Sequence, residues 1–367
     1  MSMLRRSLLQ IGLGTALATP LWAALRQDKL EAAADVLAKA TSDGTVAAAT
    51  LYVRQKDAEF AKAFGKAKSV DAMFLLGSIS KPIAMTAVMS LYDQEKIALD
   101  DPAKKYLPEF TGEGREKITV RQLLTHVSGL PDQLPENNAL RKSHATLEEF
   151  AAHAMKTPLH FAPGTKYEYS SMAILLAAEI ARRVSATSIL ELTDKTVFQP
   201  LAMKHSALGL GKFKQEELVP VQTEHAAPEA GGGDPTARDW DWNSVYWRKL
   251  GAPWGGAHCS APDVARFLGE FLSAAGKAVK PETARLMLRN QNPAGLTPRG
   301  LGFQIGAATG SPGCSEKTFG HSGSTGTLAW ADPATDTIFV VLTSLPGGAV
   351  KGHPRTMVSD LVAQAAS

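Results

Sequence analysis

The chain is short of several things, and each shortage excludes something. Two of its 367 residues are cysteine, Cys259 and Cys314. A small disulfide-stapled fold is therefore excluded, and neither cysteine has the spacing of a metal-binding pair. One disulfide between them and two unpaired thiols are both compatible with the sequence. The nine histidines are scattered, with no His-x-x-x-His pair, so neither a metal nor a cofactor is implied. Charge of one sign is also missing: 39 Lys and Arg stand against 36 Asp and Glu, a net +3. With no long basic run, nothing marks a nucleic-acid partner. Beyond the N-terminus no apolar stretch is long enough to span a bilayer, and no internal repeat is visible.

What is present is an ordinary globular composition, 44% hydrophobic and 20% charged, which argues against disorder. The length calls for one large composite domain or two. At the N-terminus, Arg5-Arg6 precede a short, mostly apolar run to Leu25, with a small-residue exit near Leu21-Trp22-Ala23. That is the layout of an export signal, and the paired arginines suggest the twin-arginine route. Gly, Thr and Pro20 interrupt the run, which favours a cleaved signal over residues 1–24 rather than a retained anchor. A bacterial periplasmic or otherwise exported protein is expected, with no stable membrane span after cleavage.

Along the remaining chain, residues 25–367, Gln27 to Thr41 has helical apolar spacing, and Val46 to Arg54 with Ala58 to Phe64 reads as a hairpin. A short apolar strand, Met73 to Leu76, leads to Gly77 and Ser78. Helix signals then dominate: Pro82 to Asp93, Val120 to Leu124, Leu147 to Met155, Ser171 to Val184, Ile189 to Phe198, Asp263 to Ala274 and Pro281 to Leu288. Lys212 to Gly256 reads as a long irregular excursion carrying Trp240, Trp242, Trp247 and Trp254. Such loops are functional or disordered, and the tryptophans argue against disorder. The end is β-rich: Gly302 to Ala307, Thr318 to His321, Thr327 to Ala331 and Ile338 to Thr343, then a helix, Thr356 to Ala366. The expected fold is mixed α/β (α+β). An antiparallel sheet built from both chain ends is flanked by helices, with a mostly helical subdomain inserted at about 85–280.

Ser78-Ile79-Ser80-Lys81 stands at the junction of an apolar strand and an apolar helix. A serine hydroxyl attacks only when a base takes its proton. Positions i and i+3 of a helix share a face, so Lys81 can reach Ser78. A desolvated lysine loses its proton more readily and can serve as that base. The unpaired amides of a helix start can hold an oxyanion. Alone, the motif is also what an N-cap serine with a chance lysine looks like.

Three further segments follow in order: Leu123-Leu124-Thr125-His126-Val127-Ser128-Gly129-Leu130-Pro131, then Pro163-Gly164-Thr165 with Tyr169-Ser170-Ser171, then Phe319-Gly320-His321-Ser322-Gly323-Ser324-Thr325-Gly326. With Ser78 and Lys81 they resemble the serine beta-lactamase-like family: class C beta-lactamases, DD-peptidases and related esterases. The likeness runs from about Leu51 to Thr343. It implies that Ser78 is acylated and that Lys81 holds and polarises it. Tyr169 would be general base or acid, as a phenolate or a proton relay. His321-Ser322-Gly323 would take the place of a Lys-Thr-Gly motif on an edge strand, and the amides of Ser78 and Ser324 would form the oxyanion hole. Plainer readings stay open: Tyr169 as a core tyrosine, Tyr167 in its role, His321 as a structural strand histidine. His126 reads as structural.

Two positions depart from the family pattern. Ser171 stands where the family has an asparagine that binds the substrate's amide, and His321, mostly neutral at pH 7, stands for the lysine. Both weaken binding of a beta-lactam or a D-Ala terminus. The expectation is an exported serine hydrolase of small carboxylic esters or amides. A DD-peptidase or beta-lactamase acting on cell-wall peptides or penicillins is the alternative, and a non-catalytic peptidoglycan- or penicillin-binding module is another. The tryptophan-rich excursion would either wall an apolar acyl pocket or simply pack.

Overall fold

The computed structural model describes residues 26–366; the export signal read over residues 1–24 lies outside them. Helix α1 (Gln27–Ser42) buries Leu30, Ala33 and Leu37. Strands β1 (Ala48–Gln55) and β2 (Ala58–Gly65) form the expected hairpin. After β3 (Phe74–Leu75), a 3-10 turn over Gly77–Ile79 runs straight into α2 (Ser80–Asp93). Every residue of α2 from Ser80 to Leu91 is buried, as befits a helix that is apolar all round.

Five helices follow: α3 (Val120–Leu124), α4 (Asn137–Lys142), α5 (Leu147–Ala154), α6 (Ser171–Ser185) and α7 (Ile189–Thr193). Thr119 and Thr146 close capping boxes on α3 and α5, satisfying first-turn amides that have no helical acceptor. The expected helix Ile189 to Phe198 breaks into α7 and a π turn, Asp194–Phe198. Then come β4 (Ser206–Leu208), α8 (Val245–Leu250), β5 (Ala257–Cys259), α9 (Ala261–Ser273) and α10 (Pro281–Met287). Strands β6 (Gln304–Ile305), β7 (Phe319–Gly323), β8 (Thr327–Asp332) and β9 (Thr337–Thr343) precede α11 (Pro354–Ala366).

The main sheet has the order β2-β1-β9-β8-β7-β6 and is antiparallel throughout. Both chain ends thus share one sheet, as the strand pattern predicts. Leu51 and Val53 of β1, with Phe339 and Val341 of β9, pack under α1 and α11 against Leu30, Leu37, Val358 and Val362. Val340 and Leu342 face the other way, into the larger core with Val264 and Phe267 of α9 and the helices beyond. A sheet covered on both faces needs continuous apolar strands, which is why β9 shows no polar alternation. A second sheet, β3-β5-β4, is absent from the sequence reading, as are α4 and α8. The stretch from Lys212 to Gly256 consists of short 3-10 turns and α8, with Trp240, Trp242, Trp247 and Trp254 all buried.

The described residues contain no helix long and apolar enough to cross a membrane. They also contain no group of three or more His, Cys, Asp or Glu able to hold a metal. Both cysteines are free thiols, which decides the question the sequence leaves open.

Candidate active site

Ser78 lies in the turn Gly77–Ile79, at the rim of a cleft between the β7 end of the main sheet and the helical half of the molecule. The turn is clamped to the strand. Thr325 and Thr327 donate their hydroxyls to the carbonyls of Leu75 (2.6 Å) and Leu76 (2.7 Å). The close approach requires glycine on both sides. Gly77 has φ +56°, and a Cβ there would lie 3.0 Å from the Ser324 amide; a Cβ on Gly323 would lie 2.1 Å from the Leu76 carbonyl. The Ser78 amide, in the first turn before α2, and the Ser324 amide, just past the end of β7, are thereby brought to the same place.

Lys81 is 1% exposed. Its Nζ reaches the Ser78 Oγ at 3.1 Å and donates to the Trp254 carbonyl at 3.0 Å. Burial pushes its pKa down to about 7, opposed by Asp132 and helped by Arg299. At neutral pH it is therefore partly unprotonated and can accept a proton as well as donate one. Tyr169, not Tyr167, covers it, with Nζ 4.5 Å from the Tyr169 ring centre. Burial drives the Tyr169 phenol well above its ordinary range, while the Ser78 hydroxyl beside it pulls the other way. The two hydroxyls fall short of a formed hydrogen bond. Tyr169 is positioned by Ser170, which caps α6 through the Ala173 amide and also donates to the Pro131 carbonyl.

His321 sits on β7 where the short β6 has already ended, since β6 pairs only with Phe319 and Gly320. The expected edge strand is thus the second from the edge, and it is only beyond Gly320 that its side is left open by the end of β6. Both ring nitrogens are engaged: Arg299 Nη2 lies 2.7 Å from Nε2, and Nδ1 lies 2.7 Å from the Ser322 carbonyl. A guanidinium can only donate, so Nε2 accepts and Nδ1 carries the proton. Burial, Arg299 and Lys81 all hold the imidazole neutral. His321 is thus a fixed wall rather than a free proton carrier, and the cation behind it is Arg299, itself 3% exposed.

The remaining sequence candidates are close by. Ser322, Gly323 and Ser324 line the outer cleft of about 760 Å³, together with Ser78, Tyr169 and His321. Ser171 lines a smaller inner pocket of about 150 Å³ on the other side of Ser78. Its hydroxyl (2.6 Å) and its amide (2.8 Å) both donate to Asp132 Oδ1, so the hydroxyl is already committed. In this arrangement a serine has a proton-accepting neighbour, a covered surface and the Ser324 amide close beside its own turn.

The family model described as beta-lactamase matches residues 28–364. The chain belongs to the beta-lactamase family. It is a member of a fold family of serine hydrolases that includes esterases, amidases and carboxypeptidases. It is 26% identical over 342 residues to a Salmonella agona (strain SL483) protein named "Putative D-alanyl-D-alanine carboxypeptidase", covering 85% of this chain and 79% of that one. Among solved structures it resembles a penicillin-binding protein homologue from Caulobacter crescentus, with a TM-score of 0.76 at 21% identity over 93% of this chain and 98% of that one. A family VIII carboxylesterase is similar too, with a TM-score of 0.73 at 21% identity over 92% and 98% of the two chains. At those identities the structural likeness speaks to fold alone.

Within this family fold, four contributors escape a reading of the sequence. Asp132 fixes Ser171, Arg299 backs His321, Trp254 offers only its carbonyl to Lys81, and Arg141 lines the inner pocket. Asp132 follows Gly129-Leu130-Pro131, so the motif itself pointed near it. Trp254 stood in the tryptophan-rich stretch, but nothing there pointed to its carbonyl, and Arg299 and Arg141 carry no local signal. Of the two readings of the tryptophan-rich stretch, a pocket wall holds for three of the four: Trp242, Trp247 and Trp254 line a pocket beside Ser78, which is not apolar, since Asp132, Arg141 and Glu229 line it too.

Proposed function

We propose that this beta-lactamase-family hydrolase acts through an acyl-enzyme on Ser78, cleaving small carboxylic esters or amides. The observation that carries it is the hydroxyl of Ser78 held by a buried lysine whose pKa lies at about 7. Neutral Lys81 takes the Ser78 proton as Oγ bonds to the carbonyl carbon. The oxyanion is held by the amides of Ser78 and Ser324; each such donor typically contributes about 2.7–4 kcal/mol. Tyr169, kept protonated by its burial, relays a proton to the departing oxygen or nitrogen rather than acting as a phenolate. The carbon–heteroatom bond breaks and leaves the acyl group on Ser78. Water then attacks that ester, Lys81 and Tyr169 return the proton to Oγ, and the acid is released.

One observation favours the peptidase alternative. Arg299 places a permanent cation directly behind the neutral His321, restoring positive charge near the cleft end where the family's lysine would stand. A substrate with a C-terminal carboxylate gains from that field. Residues 1–24 support an exported address for either activity, which fractionation of expressing cells tests.

The deciding assay compares a short-chain nitrophenyl ester, a chromogenic cephalosporin and a D-Ala-D-Ala peptide, with mass spectrometry of the trapped adduct. Ester turnover is expected, with the label on Ser78. Ser78→Ala is expected to abolish it while the circular dichroism melt stays intact. Full activity in that variant sinks the acyl-enzyme reading. Faster release from the peptide than from the ester selects the peptidase.

A further inference from the structure

The inner pocket contains a charge that nothing in the fold uses. Arg141, on α4, is 3% exposed. Its guanidinium lies flat on Trp247, 3.8 Å from the ring centre. Its Nε and Nη1 are buried without a hydrogen-bond partner. Three other arginines among the described residues are equally buried, and each also leaves Nε unpaired, Arg248 its Nη1 as well. Each of those three still donates to an acceptor: Arg115 to the Gly112, Lys156 and Thr157 carbonyls, Arg248 to the Val219 carbonyl and Asn243, and Arg299 to His321. Arg141 is the one of the four with no side-chain hydrogen bond to the protein. Stacking on an indole favours a cation but satisfies none of its N–H groups. A buried charged donor left unpaired is costly. Glu229 and Asp241 attract Arg141 only through space. The unpaired face borders a pocket of about 150 Å³ that opens on Ser78. A cavity of that size has room for a short acyl chain.

The two sides of Ser78 are unequal, and this assigns the substrate's halves. A leaving group must depart and a water must enter, which suits the outer cleft of about 760 Å³. The small pocket under the tryptophans suits the half that stays bound as the acyl-enzyme. Within it, Asp132 holds Ser171, two residues after Tyr169, so it stands at the nucleophile end. Arg141 is set apart from the nucleophile by two indoles: Lys81 bonds the Trp254 carbonyl, Trp254 packs edge-on against Trp247, and Arg141 lies over Trp247. An anion beside the scissile carbonyl would face Asp132; an anion at the tail of the acyl chain would meet Arg141, with Glu229 also on the pocket wall.

Building on the acyl-Ser78 reading above, we propose that the inner pocket is an acyl-group subsite in which Arg141 binds a terminal carboxylate, so that the preferred substrates are monoesters or monoamides of dicarboxylic acids. The acyl chain lies along the tryptophans and its carboxylate pairs with the free edge of the guanidinium. Arg141 is a specificity residue and takes no part in bond breaking.

The test uses two nitrophenyl esters with the same leaving group, the hemiglutarate and its neutral isostere, the 5-methylhexanoate, each corrected for spontaneous hydrolysis. The wild-type enzyme should show kcat/KM roughly tenfold or more in favour of the hemiglutarate, the scale of one charge-assisted hydrogen bond. Arg141→Met should bring the ratio to one or below, and Arg141→Lys should keep part of the preference. If the Met variant does not fold, the wild-type ratio and the Lys variant decide. Turnover of both esters without preference overturns the subsite. A preference that survives in Arg141→Met also overturns it. Turnover of neither ester, with no adduct on Ser78, overturns the acyl-enzyme reading instead.

Discussion

Lys81 shows how a single side chain can serve chemistry at the expense of the fold. In solution a lysine holds its proton to about pH 10.5, and here burial brings that down to about 7. For activity, the neutral amine is the competent form, so kcat/KM should rise as pH passes upward through about 7 and then level off. A pH–rate profile of ester turnover checks this, and a profile falling across that range contradicts it. For stability the folded pKa lies below the unfolded one. Between about pH 7 and pH 10.5 the unfolded chain therefore holds a proton that the folded chain has lost. Stability climbs with pH across that window; the penalty is complete below it and gone above it. Lys81→Met should thus melt higher than wild type at pH 6, with the gap closing toward pH 10, while activity is lost. A variant that melts lower than wild type at pH 6 speaks against the penalty. At this scale the sequence was readable for Ser78, Lys81 and Tyr169, because each lies in a local pattern. The neutral charge of His321 was readable too; which of its nitrogens carries the proton was not, since that depends on Arg299, distant in sequence and adjacent in space.

At the scale of elements, the site is a joint between the turn before α2 and the end of β7. The two glycines of that joint do different work. Gly323 lets the strand backbone lie against the Leu76 carbonyl, and Gly77 supplies a left-handed φ beneath the Ser324 amide. Gly77→Ala should cost roughly 1 kcal/mol of stability from the strained φ. The loss of kcat should be much larger, roughly tenfold or more, because the added methyl pushes apart the two amides proposed to hold the oxyanion. Thermal melting and ester kinetics on the same preparation check it; an unchanged kcat removes those amides from the proposed hole. Long elements were legible for a physical reason. Helices α1 and α9 carry enough apolar residues to show their period, α2 and α6 are long runs of helix-forming apolar residues, and β1 and β9 are long apolar runs. By contrast, β4 and β5 are three residues each and were not legible, while the short β3 was, as the apolar run before Gly77. The small sheet exists because Phe74 and Ser206 both pair with Cys259, which no local pattern records.

At the scale of the molecule, stability rests on packing rather than cross-links. Cys259 is fully buried in β5, and Cys314 is partly exposed near the opposite face of the main sheet. A reducing agent should therefore leave the melting temperature unchanged. A thiol reagent should label about one group in the native protein and both after unfolding, since burial blocks Cys259. A melting temperature that falls on reduction contradicts the free-thiol state.

Taken alone, the sequence determined the family-level chemistry and the outline of the fold. Ser78, Lys81, Tyr169 and the His321-Ser322-Gly323 strand are short motifs whose order survives in the linear chain, and amphipathic periods reflect which face of an element is buried. Tertiary structure decided what the site is tuned for. Only packing brings Asp132 to Ser171, Arg299 to His321 and Arg141 to the pocket wall under the tryptophans. Only burial sets the charge state of Lys81, because desolvation is a property of everything that surrounds a residue and not of its neighbours in the chain.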